Sequence, residues 1–220
     1  MGRYDRPMKN ARVQRRWAWP LIVAGVAAGG GALAYAKVVR PNIVPKNFGV
    51  VEEGLLYRSG ELTPAATERV VGARHIRTII DLGGYDGNEV GERVAQRTAD
   101  ALGVERRVFR LEGDGTGNPN AYVEALRIIT DPAKQPVLVH CSAGSQRTSA
   151  CVLLYREIVQ GKPFAGQMDE AYQHGHDPAR NTKLRPYLEQ WHEKIGEAFK
   201  RGTEIEGQPK AEIVSPAKQQ

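Results

Sequence analysis

Pro136-Val137-Leu138-Val139-His140-Cys141-Ser142-Ala143-Gly144-Ser145-Gln146-Arg147-Thr148 joins a short apolar, β-branched run to a small glycine-containing loop that holds a cysteine and an arginine six positions apart. The apolar run has the length and composition of a buried strand, and Thr148-Ser149-Ala150-Cys151-Val152-Leu153-Leu154-Tyr155 after the loop reads as a helix. The loop therefore sits where a strand ends and a helix begins. Backbone N–H groups there have no partner within the helix, and the helix dipole presents its positive end, so a phosphate dianion and a thiolate are both favoured.

The residue types name the chemistry. A free thiol titrates near about 8.5, and a helix N-terminus, a nearby cation and inward-facing amides all favour its ionised form, so Cys141 reads as a nucleophile. Arg147 offers a planar fork that can bind two phosphoryl oxygens at once, which a lysine point charge does less well. Gly144 lets the loop amides turn inward. Ser142, Ala143, Gly144, Ser145 and Gln146 then form the backbone cradle together with Arg147. By position, Thr148 would place a hydroxyl on the sulfur, and His140 would fix the loop from beneath.

His140, Cys141, Gly144, Arg147 and Thr148 fall in register with the pattern His-Cys, five residues, Arg, Ser or Thr. In this the chain resembles the cysteine-dependent protein tyrosine and dual-specificity phosphatases. Asn47 to Val51, Gly54 to Gly60 and Ile76 to Leu82 look like the opening strands of the compact, atypical dual-specificity branch, so the resemblance spans roughly residues 45 to 195. It implies a cysteinyl-phosphate intermediate hydrolysed by water, with no metal and no cofactor. Two departures stand out. Gln146 and Ser149 occupy positions where the family usually has glycine, and Ser142 to Gln146 lacks the lysines common in members that act on inositol phosphates, which argues against a very highly anionic substrate.

A leaving alkoxide or phenoxide needs a proton, and the family takes it from an aspartate some thirty residues before the cysteine. Asp114 lies 141 − 114 = 27 positions upstream, after the apolar run Val108-Phe109-Arg110-Leu111 and among Gly113, Gly115 and Gly117. It is the expected general acid, with Glu112 as the alternative and Asp81 and Asp131 ranked lower. A plain turn-forming role for Asp114 competes with that reading. Cys151 reads as a core residue. His174 and His176 lack the cysteine or carboxylate partners of a metal site and read as loop residues, so no metal ligands are assigned.

Residues 1–16 form a basic arm, and Trp17 to Ala36 is a twenty-residue stretch without charge, long enough to cross a bilayer. Over residues 1–40 eight basic residues stand against Asp5, a charge of +7, so residues 41–220 carry 6 − 7 = −1. The basic balance thus belongs to a membrane-flanking arm, and nucleic acid is not an expected partner. The positive arm implies a single-pass membrane protein with a cytoplasmic N-terminus and the catalytic domain on the outer side. Secretion after cleavage near Ala36, where Ala34-Tyr35-Ala36 matches an A-x-A pattern, is the alternative.

Residues 41–201 suffice for one domain with a real core. Helices expected over Pro64 to Ala73, Glu89 to Leu102 and Ala121 to Thr130 alternate with strands and predict an α/β fold with a central, largely parallel sheet. Phe164 to Tyr172 and Leu184 to Phe199 read as further helices, and the polar residues 202–220 read as a disordered tail. The expected function is a protein tyrosine or dual-specificity phosphatase. Its alternatives are a membrane-anchored, phosphate-binding pseudophosphatase and a phosphatase of lipid or small-molecule phosphates.

Overall fold

The computed structural model of the chain describes residues 23, 24, 26, 29–33 and 35–214. Residues 1–41 and 42–220 form two compact units. In the first, the single-pass arrangement with an outward catalytic domain is corrected: among the described residues no helix is long and apolar enough to cross a membrane. The stretch is built largely from glycine and alanine, which gain little on transfer to lipid. Its end is a π turn, Tyr35–Val39, followed by a short helical turn, Arg40–Ile43, with Lys37 and Arg40 exposed. The alternative, secretion after cleavage near Ala36, rests on the same apolar stretch, of which residues 25, 27, 28 and 34 lie outside the described residues. The basic arm of residues 1–16, and residues 17–22 of the expected anchor, lie outside the described residues.

The second unit carries a six-stranded sheet in the order β1-β2-β5-β3-β4-β6. The strands are β1 (Gly49–Glu52), β2 (Leu56–Ser59), β3 (Thr78–Asp81), β4 (Glu105–Phe109), β5 (Val137–His140) and β6 (Ile213–Val214). β2, β5, β3 and β4 are mutually parallel, while β1 and β6 pair antiparallel at the two edges. The sheet is therefore mixed, with the expected parallel part at its centre. β2, β3 and β5 are buried along their whole length, as befits central strands covered on both faces.

The helices of this unit are α1 (Pro64–Arg74), α2 (Glu89–Ala101), α3 (Pro119–Thr130), α4 (Gln146–Ile158), α5 (Met168–Gln173) and α6 (Leu184–Arg201). Start signals are local. Thr63 accepts from the Ala66 amide with Pro64 in the first turn, and Asn118 accepts from the Asn120 amide ahead of α3. Strand alternation divides the core in two. Leu56, Ile80, Val137 and Val139 pack under α3, α4 and α6, whereas Tyr57, Ile79 and Leu138 pack with Leu62, Ala66 and Val70 beside α1. Each large side chain so buried contributes about 1.5–3 kcal/mol.

Within the expected disordered tail, residues 203–214 are ordered, while residues 215–220 lie outside the described residues. Asn120, 1% exposed, accepts the Ile205 amide at 2.8 Å and donates to the Pro209 carbonyl at 2.8 Å. Asn118 donates to the Pro209 and Lys210 carbonyls, and Arg127 to that of Thr203. These bonds carry the chain across α3 to add β6 to the sheet edge. Composition failed because the apolar partners of the tail are few, and its docking rests on backbone groups met by side chains from α3. Asn120→Ala should leave the Ile205 amide unpaired and the Pro209 carbonyl with the Asn118 bond alone, and cost about 1–3 kcal/mol, read as a lower urea midpoint. An unchanged midpoint would show that the tail contributes nothing to stability.

Candidate active site

Because β2, β5 and β3 are parallel neighbours, the loops at their C-terminal ends meet on one rim. The 141–145 loop runs from β5 into α4, whose N-cap Ser145 makes no capping bond to the first turn. Cys141 sits at the base of this loop, 2% exposed, and the Gly144 amide donates to its Sγ at 3.3 Å. That contact and the open helix end both favour negative charge at this point. Gly144 adopts φ +76°, and a Cβ there would lie 2.6 Å from the Gly60 amide nitrogen and 2.8 Å from the Ser59 carbonyl. The loop is seated on the end of β2 so closely that only glycine fits.

Neighbouring loops hold the rest of the cradle. The Ser142 carbonyl accepts from Lys46 Nζ at 3.0 Å and from the Glu61 amide at 3.1 Å. Asn47 Nδ2 donates to the Ala143 carbonyl at 2.9 Å and reaches Ser145 Oγ at 3.5 Å. Gln146 Oε1 lies 2.6 Å from His176 Nδ1, so one of the two loop histidines braces the start of α4. Thr148 departs from expectation: its hydroxyl donates to the Ser59 carbonyl at 3.4 Å, and the recorded contact to the sulfur comes from the Gly144 amide. Thr148 lies on the first turn of α4 over β2, and Ser59 is the acceptor within its reach. His140 is buried beneath the loop with Nε2 3.5 Å from Asp81.

Asp81 is fully buried at the end of β3 and also meets Arg106 and the Gly84 amide, both at 2.5 Å. Burial works to raise its pKa, but His140, Arg106 and the Gly84 amide outweigh this and hold the carboxyl below the usual carboxylate range. It is a structural anion and no proton donor. By fixing Gly84 it sets the 83–88 turn, whose Gly83 carbonyl accepts from Arg147 Nη1. The same Nη1 meets the Leu111 carbonyl at 3.3 Å and Asp86 Oδ2 at 3.1 Å. Arg147 Nε is buried without a hydrogen-bond acceptor among the described residues.

Arg147 lines one wall of the mouth, a cavity of about 470 Å³ whose other lining residues are Asp86, Arg110, Leu111, Glu112 and Gly113, with Cys141 not among them. Asp86 bridges the two arginines, its Oδ1 lying 3.1 Å from Arg110 Nη1. Asp86 and Arg110 were not singled out from sequence. The signal available was their place just after β3 and β4, at the same sheet end as the cysteine loop. Asp114 is close to the site but turned aside. The Cβ position of its neighbour Gly115 lies 3.4 Å from Gln146, so the loop packs on the start of α4. Its carboxyl accepts from the Thr116 amide and hydroxyl and pairs with Lys183 at 3.0 Å. Partial burial raises its pKa, and the bonds from Thr116 and Lys183 more than offset that, holding the carboxyl below the usual range.

Burial pushes the Cys151 thiol up to about 12, in line with its reading as a core residue. Among the described residues no group of three or more His, Cys, Asp or Glu could hold a metal ion. Gly144→Ala should cost at least about 1–2 kcal/mol for the left-handed conformation alone, with the clash against Ser59 and Gly60 added. Titration with vanadate should show anion binding lost in a chain that still folds. Vanadate affinity equal to wild type would mean that the loop amides do not form the cradle.

The family described as DSP-PTPase phosphatase fused to NAD+ Kinase matches residues 34–185. Inositol diphosphatase DSP1 of Oryza sativa subsp. japonica is 29% identical over 122 residues, covering 53% of this chain and 51% of that protein. Tyrosine-protein phosphatase-like protein OCA2 of Saccharomyces cerevisiae is 28% identical over 134 residues, covering 58% and 65%. The chain thus spans about half the length of the rice relative. Two solved structures share the fold. The catalytic domain of the PP-IP phosphatase SIW14 from S. cerevisiae, crystallised with citrate, has a TM-score of 0.56 at 21% identity, covering 73% of this chain and 95% of that one. TpbA of P. aeruginosa has a TM-score of 0.57 at 20% identity, covering 70% and 91%. With the His-Cys-x5-Arg-Thr loop, the strand order around it and a family match over most of its length, this chain belongs to the DSP-PTPase phosphatases.

Proposed function

We propose that the chain is a phosphomonoester hydrolase working through a cysteinyl-phosphate intermediate. The observation that carries this is the seat of Cys141 under an inward-facing Gly144 amide, at an uncapped helix N-terminus, with Arg147 held across the mouth. In this reading the Cys141 thiolate attacks phosphorus, and the bond to the leaving oxygen breaks as that oxygen takes a proton. Loop amides and Arg147 carry the charge on the phosphoryl oxygens in flight. Water then attacks phosphorus, the S–P bond breaks, and phosphate leaves with the thiolate restored.

Asp114 is the proposed proton donor, supported by its loop packing on the first residue of α4. As placed, its carboxyl is committed to Thr116 and Lys183, so proton transfer requires it to leave them. Flanking glycines at positions 113, 115 and 117 permit that movement.

For the substrate, Arg110 supports a second reading. It brings a second cation to the mouth from the end of β4, outside the cysteine loop. The absence of lysine within Ser142 to Gln146 therefore does not decide against a substrate with more than one phosphate. The rice relative DSP1 is named an inositol diphosphatase. Rates on an inositol diphosphate, phosphotyrosine and p-nitrophenyl phosphate separate this reading from a protein phosphatase. A diphosphate preference that disappears in Arg110→Met supports it, and equal rates on all three speak against it.

Cys141→Ser should abolish turnover of p-nitrophenyl phosphate while vanadate still binds, and Arg147→Lys should lose on the order of a hundredfold in kcat/KM. Turnover in the serine variant would rule out the thiolate route, leaving a phosphate-binding protein with another chemistry.

Asp114→Asn should depress kcat much more for alkyl phosphates than for p-nitrophenyl phosphate. Lys183→Met supplies the sign test. The ammonium lowers the Asp114 pKa, so its removal raises that pKa, keeps the acid protonated to higher pH, and moves the basic limb of the kcat profile upward. Equal losses across leaving groups in Asp114→Asn, with the limb unmoved in Lys183→Met, would shift the acid to Glu112 or Asp86.

A further inference from the structure

β2 places an arginine directly beneath the cysteine loop. Arg58 is 1% exposed and among the largest fully buried side chains. Its Nη2 donates to the Gly144 carbonyl at 2.9 Å and to Ser149 Oγ at 2.8 Å. Its nearest carboxylate is Glu170 of α5, with Nη1 to Oε1 at 3.8 Å, too long for a hydrogen bond. Arg156 of α4 holds that same carboxylate at 3.0 Å and 3.3 Å. Arg58 Nε and Nη1 have no hydrogen-bond acceptor among the described residues. Burial draws its pKa down to about 10, which leaves the guanidinium charged at neutral pH.

A buried cation compensated this incompletely is costly, and an apolar side chain of similar length would pack at less expense. Where the charge sits accounts for keeping it. Gly144 presses on the end of β2, so a side chain from β2 reaches the Gly144 carbonyl from below while the Gly144 amide points to Cys141 Sγ. The titratable and charged groups facing Arg58 are Glu170 on α5, Arg156 and Cys151 on α4, His174 just after α5, and Cys141 itself. Cys151 stays protonated and so supplies no anion, and His174, its pKa lowered by burial and then by Arg58, is held towards its neutral form.

We infer that Arg58 is a positioning residue of this site: it pins the Gly144 carbonyl so that the loop amides face the anion, and its charge favours the Cys141 thiolate from the side away from substrate. The inference rests on the reading of Cys141 as the nucleophile. A merely structural Arg58 would change stability and leave thiol ionisation alone.

The test is iodoacetamide alkylation of the full chain, followed at the Cys141 peptide by mass spectrometry across pH, with circular dichroism to report folding. In Arg58→Met, Cys141 should react about tenfold more slowly at about pH 6, with the rate curve displaced to higher pH. Glu170→Gln removes the competing carboxylate and keeps both arginines, so its curve should move to lower pH with about two- to threefold faster reaction. A folded Arg58→Met with the wild-type curve overturns the inference, as does a Glu170→Gln curve that stays put or moves upward. If Arg58→Met does not fold, Glu170→Gln decides alone. Alkylation needs no substrate. An Arg58-dependent thiol in a chain that hydrolyses no phosphate ester would sink the enzymatic reading and leave this one standing.

Discussion

The position of β5, hydrogen-bonded in parallel between β2 and β3, is the constraint on which the rest of the structure depends. Parallel pairing sends all three strands out at the same end of the sheet, so the turn after β3, the loop after β5 and the end of β2 must share one rim. Ser59 lies opposite His140, as does Asp81 on the other side. From that register follow the tight seat of Gly144 on Ser59 and Gly60, the reach of Arg147 to the Gly83 carbonyl, and the approach of Arg58 to the loop from below.

Strand alternation then sorts charge to the two faces of the sheet. Below one face, Asp81, Arg106, Glu92 and His140 form a buried network, with Arg106 also over the Tyr85 ring. On the other, Arg58, Glu170 and Arg156 form a looser one. Buried ion pairs contribute little to net stability, yet removing one partner leaves an uncompensated charge at a cost of about 3–5 kcal/mol. Such networks are therefore poor glue and good registers. The first fixes the 83–88 turn that receives Arg147, and the second supports the cysteine loop.

Much of the site was legible in the sequence because its chemistry is local. Cys141, Gly144 and Arg147 lie within seven residues, and a strand-to-helix junction orients amides by short-range geometry alone. The helices over 89–101 and 184–201 likewise follow from amphipathic periodicity, and that over 64–74 from its Thr63-Pro64 start. Asp86, Arg110 and Arg58 were not legible as site residues. Each is remote in sequence from Cys141 and arrives through strand order, and nothing in a run such as Leu55-Leu56-Tyr57-Arg58-Ser59 marks its arginine as buried.

The sequence by itself determined the place of the cysteine loop between a strand and a helix, the alternation of strands with helices and the core position of Cys151, since these depend on residue type and spacing over a few turns of chain. Tertiary structure decided what those features meet. It made the sheet mixed by adding β1 and β6 at its edges, and it docked residues 203–214 through Asn118, Asn120 and Arg127 although composition suggested disorder. It turned Thr148 to Ser59 and gave the contact with Cys141 Sγ to a backbone amide. Hydrogen-bond partners far apart along the chain are chosen by packing, and packing is a property of the whole fold.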